Sequence, residues 1–293
     1  MRRLAKIGAA MATVGVVLLV VGLLNGGAKA VAFENWQPKV VTRSTEKYDV
    51  DEFESVKVNV NYLNVEIVRG DKYDVRYVAN KAIGLDVDVV DGVLEISQQH
   101  FDGNFGFGIG FIGDDMEQKL QITIPEDVDL KNIEVAGNSG DIKVSDMKLE
   151  KLNLKTNSGD VNVAGTKVSE GTTIRSNSGE VDVHDSDLRS PSITVANGNV
   201  SLFDSKLSNI NVELRNGDFR ADTNEFTGDN IVRNTNGDNA ISGADRKLGY
   251  RITIRNGDNT LFDKRSERGT LSQNWNNKNR IEMTTNNSEN DVQ

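Results

Sequence analysis

Apolar and polar residues alternate along most of the chain downstream of about residue 56. This two-residue period is typical of β-strands that bury one face. In residues 210–214, for example, apolar residues alternate with Asn211 and Glu213. Helical spacing is absent between residues 136 and 268. The pattern therefore predicts an all-β body.

A turn of the type Asn-Ser-Gly-Asp or Asn-Gly-Asp recurs every 19 or 20 residues. Its glycines are Gly140, Gly159, Gly179, Gly198, Gly217, Gly237 and Gly257. Five positions before each glycine stands an aliphatic residue, namely Val135, Leu154, Ile174, Ile193, Val212, Val232 and Ile252. A unit this short cannot fold alone, but copies stacked in register share one core. We therefore predict a single-stranded parallel β-solenoid (a β-helix) with one coil per repeat, coils about 4.8 Å apart, and stacked asparagine ladders at the turns.

The same columns set the limits of the folded region. The solenoid domain is predicted over residues 56–285, with irregular coils at 56–135, regular repeats at 136–268 and a C-terminal cap at 269–285. Residues 286–293 are polar and are predicted to form a frayed tail.

Two earlier positions fit the column pattern less regularly. Gly92 has apolar residues five before, two after and four after it, and residue 63 behaves as a turn without glycine. Near the other end, Leu271 falls where the next aliphatic column residue is expected, and Ile281 and Met283 are typical of a last strand.

A segment rich in phenylalanine and glycine, residues 101–115, interrupts the register. Two interpretations remain open. Its phenylalanines fold back to cap the end of the solenoid, or the loop presents an apolar surface to a membrane or a partner.

The N-terminal region differs from the rest of the chain. Residues 7–24 are uncharged and follow three basic residues, which is typical of a membrane anchor with its basic end in the cytoplasm. The alternative for residues 1–30 is a signal peptide cleaved after Ala30. We predict a single-pass protein of the cell membrane with an extracellular C-terminal domain, or a secreted protein after cleavage, and a stalk at residues 31–55.

Composition excludes several classes of function. Without cysteine, the chain cannot form a disulfide, a cysteine zinc site or a thiol nucleophile. Residues 1–30 carry four basic and no acidic side chains, so the remaining 263 residues carry 30 basic and 44 acidic ones. An acidic body without a basic block does not favour nucleic acid. Lysine and arginine show no column like that of the glycines, so no track for an anionic polymer is predicted either.

No constellation of catalytic residues is evident. His100 borders the Phe/Gly segment, and His184 precedes a turn. Neither histidine has the partners of a catalytic triad in the sequence, and neither has further metal-ligating residues at a suitable spacing. The phosphate-binding motif G-x-x-x-x-G-K-[ST] does not occur. Gly106, Gly108 and Gly110 alternate, but they do not lie between a strand and a helix, so they do not predict a dinucleotide site. We predict no catalytic residue, no cofactor and no metal ligand.

One row of side chains could still bind cations. The residue after most repeat glycines is acidic, namely Asp141, Asp160, Glu180, Asp218, Asp238 and Asp258, with Asn199 within the row. Stacking would place neighbouring carboxylates about 4.8 Å apart, where they repel by roughly 0.9 kcal/mol in water. We interpret the row as turn aspartates that accept backbone N–H groups. The alternative is a row of divalent-cation sites.

These features together resemble a known family. The irregular strands at residues 65–67, 92–96 and 120–125, followed by Asn-Ser-Gly-Asp-[Ile/Val]-x-Val units, are similar to the bacterial "putative adhesin" domain of unknown function over about residues 40–285. The resemblance implies a membrane-anchored β-solenoid in cell-envelope proteins of Gram-positive bacteria, sometimes linked to envelope stress. It implies no catalytic residues.

The expected function is that of a non-enzymatic cell-envelope surface protein, an adhesin or scaffold presenting a rigid solenoid outside the membrane. Two alternatives remain, a regulatory module of an envelope-stress response and a carbohydrate-active β-helix enzyme. Expected partners are the membrane, through residues 7–24, and an envelope protein or wall polymer. The repeats carry almost no insertions that could build a cleft, which weighs against the enzyme.

Overall fold

The computed structural model describes residues 8, 11–18, 20–21, 31–34, 37–40, 43–80, 84–98 and 118–293. The chain divides into two compact units. The first consists of Met1–Thr45, Val78–Gly84 and Gln99–Glu117, and the second consists of Glu46–Tyr77, Leu85–Gln98 and Gln118–Gln293. His100 and the Phe/Gly segment 101–115 lie outside the described residues.

In the first unit, residues 8, 11–18 and 20–21 are helical. Strands β1 (Val31–Glu34) and β2 (Gln37–Val40) pair antiparallel. None of the helical stretches in the described residues is both long and apolar enough to cross a bilayer.

The remaining strands fall into three groups. Those before the regular coils are β3 (Arg43–Tyr48), β4 (Ser55–Tyr62), β5 (Asn64–Gly70), β6 (Asp74–Asn80), β7 (Leu85–Val90), β8 (Val93–Gln98) and β9 (Lys119–Pro125). Those of the regular coils are β10 (Leu130–Ser139), β11 (Ile142–Ser145), β12 (Lys148–Ser158), β13 (Val161–Ala164), β14 (Lys167–Ser178), β15 (Val181–His184), β16 (Asp187–Arg189), β17 (Pro191–Asn197), β18 (Val200–Phe203), β19 (Lys206–Ser208), β20 (Asn211–Asn216), β21 (Phe219–Asp222), β22 (Glu225–Thr227), β23 (Asp229–Asn236) and β24 (Asn239–Ser242). The last are β25 (Gly249–Leu261), β26 (Lys264–Ser266), β27 (Gly269–Gln273) and β28 (Arg280–Val292).

Successive repeats stack in parallel register, as the aliphatic columns predict. Leu154 lies opposite Ile174, which lies opposite Ile193, which lies opposite Val212. All four are at most 1% exposed, and burying such a side chain contributes about 1.5–3 kcal/mol. The shared core therefore runs through the middle of the coils.

Each regular coil turns three corners. In the coil of β17, β18 and β19, the first corner follows β17 at Gly198, with φ 146°. The second follows β18 at Asp204, with φ 46°, and the third follows β19 at Asn209, with φ 55°. Aspartate and asparagine are the side-chain-bearing residues that best tolerate a left-handed backbone. A long strand, a short strand and a three-residue strand thus complete one coil.

The N-terminal coils are less regular than the column pattern suggests. Strands β4 and β5 stack on β10 and β11 with residue 63 at the turn, as expected. On their other side lie β8 and β9. Gly92, however, does not start a coil: with φ 75° it sits in the antiparallel hairpin of β7 and β8. The expectation of a coil there was wrong because a two-residue period does not distinguish parallel from antiparallel partners.

At the C-terminal end, the order in space departs from the order in sequence. Strand β28 lies between β23 and β25, with Met283 opposite both Val232 and Ile252. Residues 286–292, for which the polar composition predicted a frayed tail, continue β28, and Asn290 and Val292 are fully buried. Leu271 is not the next column residue but pairs antiparallel with Ile252.

The sheet is therefore solenoid-like but mixed, and the prediction of a purely parallel solenoid was wrong. Antiparallel strands lie near both ends, β7 beside β8, and β26 and β27 beside β25. A stack of coils leaves unpaired backbone groups at its ends, and such edges are usually covered. Part of the predicted stalk also belongs to the fold, since β3 begins at Arg43 and Phe53 is buried against Tyr73, with ring centroids 4.7 Å apart.

Candidate functional site: stacked polar ladders of the coils

The glycine corner brings neighbouring coils unusually close together. A Cβ atom on Gly198 would lie 2.0 Å from the carbonyl oxygen of Gly179, and one on Gly217 would lie 2.0 Å from that of Gly198. The φ angles of these glycines lie between 137° and 146°, a region that side chains rarely adopt. The glycine column thus fixes the distance between coils at this corner.

The row of acidic residues after the glycines forms hydrogen bonds between coils. A side-chain oxygen in one coil accepts from the backbone N–H of the corresponding residue in the next, at 2.8–3.1 Å. These bonds link Asn64 to Asp141, Asp141 to Asp160, Asp160 to Glu180, Asn199 to Asp218 and Asp218 to Asp238. The interpretation of this row as turn acceptors is therefore confirmed for these members.

Two members of the row behave differently. Asn199 accepts from the backbone N–H of Asp218 like the others, but its link to Glu180 is a hydrogen bond between side chains, donated by the Asn199 amide at 3.0 Å. Asp258 does not follow Asp238 in space, because Glu289 of β28 stands beside it. Within the described residues, no three His, Cys, Asp or Glu side chains form a group that could hold a metal ion.

A second ladder runs along the asparagines that precede the glycines. Asn216 donates to Asn197 at 2.9 Å, Asn236 to Asn216 at 3.0 Å, Asn287 to Asn236 at 3.0 Å, and Asn256 to Asn287 at 3.2 Å. The predicted asparagine ladder is thus confirmed, with Asn287 of β28 inserted into it. It lies on the exposed side of the corner.

A third ladder is buried and was not predicted. The backbone N–H of Thr166 donates to Ser186 Oγ at 3.1 Å, that of Ser186 to Ser205 Oγ at 3.1 Å, and that of Ser205 to Asn224 Oδ1 at 3.0 Å. The three hydroxyl-bearing residues are at most 3% exposed. Each hydroxyl in turn donates to a backbone carbonyl two residues earlier. The signal in the sequence is a small polar residue seven positions after the glycine, whose identity changes from repeat to repeat.

A fourth ladder replaces apolar core residues near the C-terminal end. Asn234 donates to Asn239 at 3.2 Å, Asn239 to Asn290 at 2.8 Å, and Asn290 to Asn259 at 2.8 Å. The last three side chains are fully buried. Buried amides that satisfy one another also fix which coil lies next to which, so this ladder favours the insertion of β28 between β24 and β25.

The residues that resemble catalytic groups have local partners. His184 Nδ1 lies 3.2 Å from its sequence neighbour Asp185 Oδ2. Partial burial raises the pKa of the Asp182 carboxyl against the opposing effect of a Ser201 hydrogen bond, and the charge of Glu180 raises it further. No nucleophile is placed beside the His184 ring by the hydrogen bonds of the described residues.

The open depressions on the coils are polar. One of about 530 Å³ runs beside the three-residue strands and is lined in part by Asp187, Arg189, Lys206 and Glu225. Three of these groups pair with stacked neighbours: Lys206 Nζ lies 4.0 Å from Glu225 Oε2, and Asp187 Oδ2 lies 3.6 Å from Lys167 Nζ. The groove therefore displays a lattice of ion pairs and does not converge on one reacting atom.

Comparisons with known proteins identify a family and several similar solved structures. A family model described as Toastrack DUF4097 matches residues 53–293. Among solved structures, a "putative adhesin" from Bacteroides fragilis NCTC 9343 is 13% identical, with a TM-score of 0.47 over 86% of this chain and 96% of that one. A "putative cell adhesion protein" from Clostridium sporogenes ATCC 15579 is 12% identical, with a TM-score of 0.30 over 86% and 98%. A "putative lipid binding protein" from Parabacteroides distasonis ATCC 8503 is 13% identical, with a TM-score of 0.39 over 86% and 97%. No curated protein matches the sequence.

Proposed function

Because the chain belongs to the Toastrack DUF4097 family, we propose that it is a non-enzymatic surface protein of the cell envelope. In this proposal the solenoid-like body acts as an adhesin or scaffold, and its outer faces bind an envelope protein or a wall polymer. The family model names no reaction, so the proposal depends on the chemistry of the coils themselves.

One observation carries the proposal. The polar residues that recur most regularly in the repeat, the acidic row, the exposed asparagines and the buried hydroxyls, are engaged in hydrogen bonds between coils. They hold the stack together, so what remains for a ligand is the outward surface of the strands. That surface repeats at every coil, about 4.8 Å apart, and a repeating surface favours extended or multivalent partners.

The proposed location rests on the N-terminal sequence. The uncharged residues 7–24 and the basic residues before them favour insertion with the body outside the cytoplasm. Cleavage after Ala30 would release the same body to the exterior. In both cases the acidic body faces the envelope.

The test uses the full chain with a C-terminal epitope tag, expressed in bacterial cells. A protease added to intact cells should remove the tagged body while a cytoplasmic marker stays intact, and lysed cells serve as the control for cleavage. The purified full chain in mild detergent should also co-sediment with isolated cell-wall material. A body protected in intact cells contradicts the proposed location.

The same sedimentation assay separates the binding role from the enzymatic alternative. A binding protein leaves the wall material unchanged, with the protein recovered in the pellet. Release of soluble sugar fragments that grows with time would instead assign the chain to the carbohydrate-active enzymes and would overturn the proposal.

A further inference from the structure

One outer face of the coils carries almost only positive charge. The C-terminal halves of the long strands β12, β14, β17 and β20 each have three outward-facing positions that alternate with buried residues, twelve in all. They are Asn153, Lys155, Asn157, Thr173, Arg175, Asn177, Ser192, Thr194, Ala196, Asn211, Glu213 and Arg215. Three are cations and one is an acid, although acidic residues exceed basic ones by ten in the whole chain.

The positive charge continues along the stack. Arg233 on β23 and Arg255 on β25 occupy outward positions of the later coils. We define the cationic face as Lys155, Arg175, Arg215, Arg233 and Arg255, all of which are exposed.

The register places these cations beside one another. Lys155 lies opposite Arg175, which lies opposite Thr194. Further along, Glu213 lies opposite Arg233, with Arg215 two residues later on the same side of β20. Lys155 and Arg175 are therefore adjacent cations. On their other sides, Ala136 beside Lys155 and Thr284 beside Arg233 are neutral.

No member of the cationic face forms an ion pair with any described residue. Ion pairs occur on other parts of the coils, for example between Lys167 and Asp187 at 3.6 Å and between Lys151 and Glu170 at 3.1 Å. The contact of Arg233 is a hydrogen bond to the neutral Asn211, at 3.4 Å. Stacked like charges repel one another, so a face that keeps them unpaired is suited to a ligand that neutralises several at once.

We propose that the cationic face binds a linear polymer of phosphate groups that lies along the stacking axis, across the strands. This inference rests on the proposed function and names the partner class of that surface. Four of the five cations are arginines, whose guanidinium groups match the geometry of phosphate oxygens with two parallel hydrogen bonds. From Lys155 to Arg255 the face spans seven coils in the order of the strand pairing, which is about 29 Å. A polymer is therefore needed to contact all of it.

The test measures binding of end-labelled inorganic polyphosphate to the full-length protein by fluorescence anisotropy at several salt concentrations. The triple variant Lys155→Gln/Arg175→Gln/Arg215→Gln should bind at least tenfold more weakly. The plot of log K against log salt should become less steep, with the magnitude of its negative slope smaller by about 2, since each of the three lost phosphate contacts contributes roughly 0.7.

The matched control is Lys148→Gln/Arg189→Gln/Lys247→Gln. It removes the same charge at exposed positions outside the cationic face and should bind within twofold of the wild type. Thermal melting of both variants verifies that they are folded. Equal weakening by the two variants would mean that net charge alone drives binding, and it would overturn the assignment of the face.

Other polyanions separate the remaining outcomes. Heparin that binds more tightly than polyphosphate would assign the face to sulfated sugars and would overturn the proposal of a phosphate polymer. If polyphosphate does not bind while the protein still co-sediments with wall material, the phosphate polymer is wrong as the partner and the proposed function stands.

Discussion

Ser288 occupies the position of a repeat glycine and should destabilise the coil that contains it. It stands opposite Gly257, and its neighbour Asn287 stands opposite Asn236 and Asn256 of the adjoining coils. Its φ is 131°, within the 130–146° range of the column glycines. A side chain held in this region costs about 1–3 kcal/mol.

The hydrogen bonds at this corner show the same effect. In the regular coils, the N–H of each column glycine donates to the next coil at 3.0–3.1 Å, but the bond from Gly237 to Asn287 is 3.4 Å long. The Cβ of Ser288 is directed into the narrow gap that the other coils leave empty. We therefore attribute the longer bond to this side chain.

Replacing Ser288 with glycine should stabilise the protein. The strain released is about 1–3 kcal/mol, and the greater freedom of glycine in the unfolded chain opposes it by about 0.5–1 kcal/mol. At the middle of both ranges the net gain is about 1 kcal/mol, or roughly 2–4 °C in Tm for a domain of this size. Ser272→Gly is the control, because Ser272 is also exposed in a strand but has an ordinary φ. It should melt at a slightly lower temperature than the wild type. If Ser288→Gly also melts at or below the wild-type temperature, the argument from backbone strain is refuted.

Three further predictions follow from the coil contacts. Gly198→Ala should lower the free energy of unfolding by at least about 3 kcal/mol in denaturant unfolding, since backbone strain at φ 146° adds to the clash of a Cβ placed 2.0 Å from a carbonyl oxygen. The control Gly171→Ala, at a position with open space around it, should change stability little. Equal losses in the two variants would contradict the role of the corner. Ser186→Ala should lower the free energy of unfolding by about 1–3 kcal/mol, because it leaves a buried backbone N–H of the neighbouring coil without its acceptor. The control Ser176→Ala removes a buried hydroxyl that has no hydrogen-bond partner and should leave stability unchanged. Burial alone would raise the pKa of Glu66, but the Lys119 and Lys143 ammonium groups outweigh it and lower that pKa. The stabilising contribution of Glu66 is therefore present above the unfolded pKa near 4.3 and is lost as the pH falls through the lower folded pKa. The Tm difference between wild type and Glu66→Gln should shrink between pH 6 and pH 3, and a constant difference would exclude this ion pair as its source.

The sequence predicts the stacking because the same physical constraint acts on every coil. Glycine fits the gap between neighbouring corners without backbone strain, so the glycines mark the repeat, and the columns beside them fill one core. The resemblance to the "putative adhesin" domain, which rests on these columns, is confirmed by the family match. The all-β class, the stacking of the regular coils and the register of Leu154 with Ile174 could therefore be predicted from the sequence, but the antiparallel strands near both ends could not.

The order of the last coils could not be predicted in the same way. Strand β28 lacks the glycine and has Ser288 in its place, so its residues were interpreted as a cap and a tail. Its other columns do follow the repeat, with Met283 five positions before, Asn290 two after and Val292 four after Ser288. A comparison based on all columns would have assigned β28 as a coil. Its place between β24 and β25 follows from the buried amides Asn239 and Asn259, which interrupt an apolar column and require an amide partner.

The cationic face was also missed, for a geometric reason. Its cations are shared between two outward positions of the strand, with Lys155 and Arg175 in one column and Arg215 and Arg255 in another. Neither column is uniform, so neither resembles the glycine column. Outward positions on one strand are only about 6.8 Å apart, however, and long basic side chains reach across that distance. The two columns therefore act as one surface, which a test of single columns cannot detect.

The neighbouring acidic row determines which anions this surface can select. Carboxylates such as Asp160 and Asp218 lie around the glycine corner, five residues after Lys155 and three after Arg215. Charges within about 8–10 Å of one another are not fully screened at physiological salt. A small anion that met one arginine would feel both signs and gain little. A polymer that lies across several coils on the strand side is attracted by successive cations and keeps its own charges away from the corner. The affinity of this surface should therefore increase with the length of the anion.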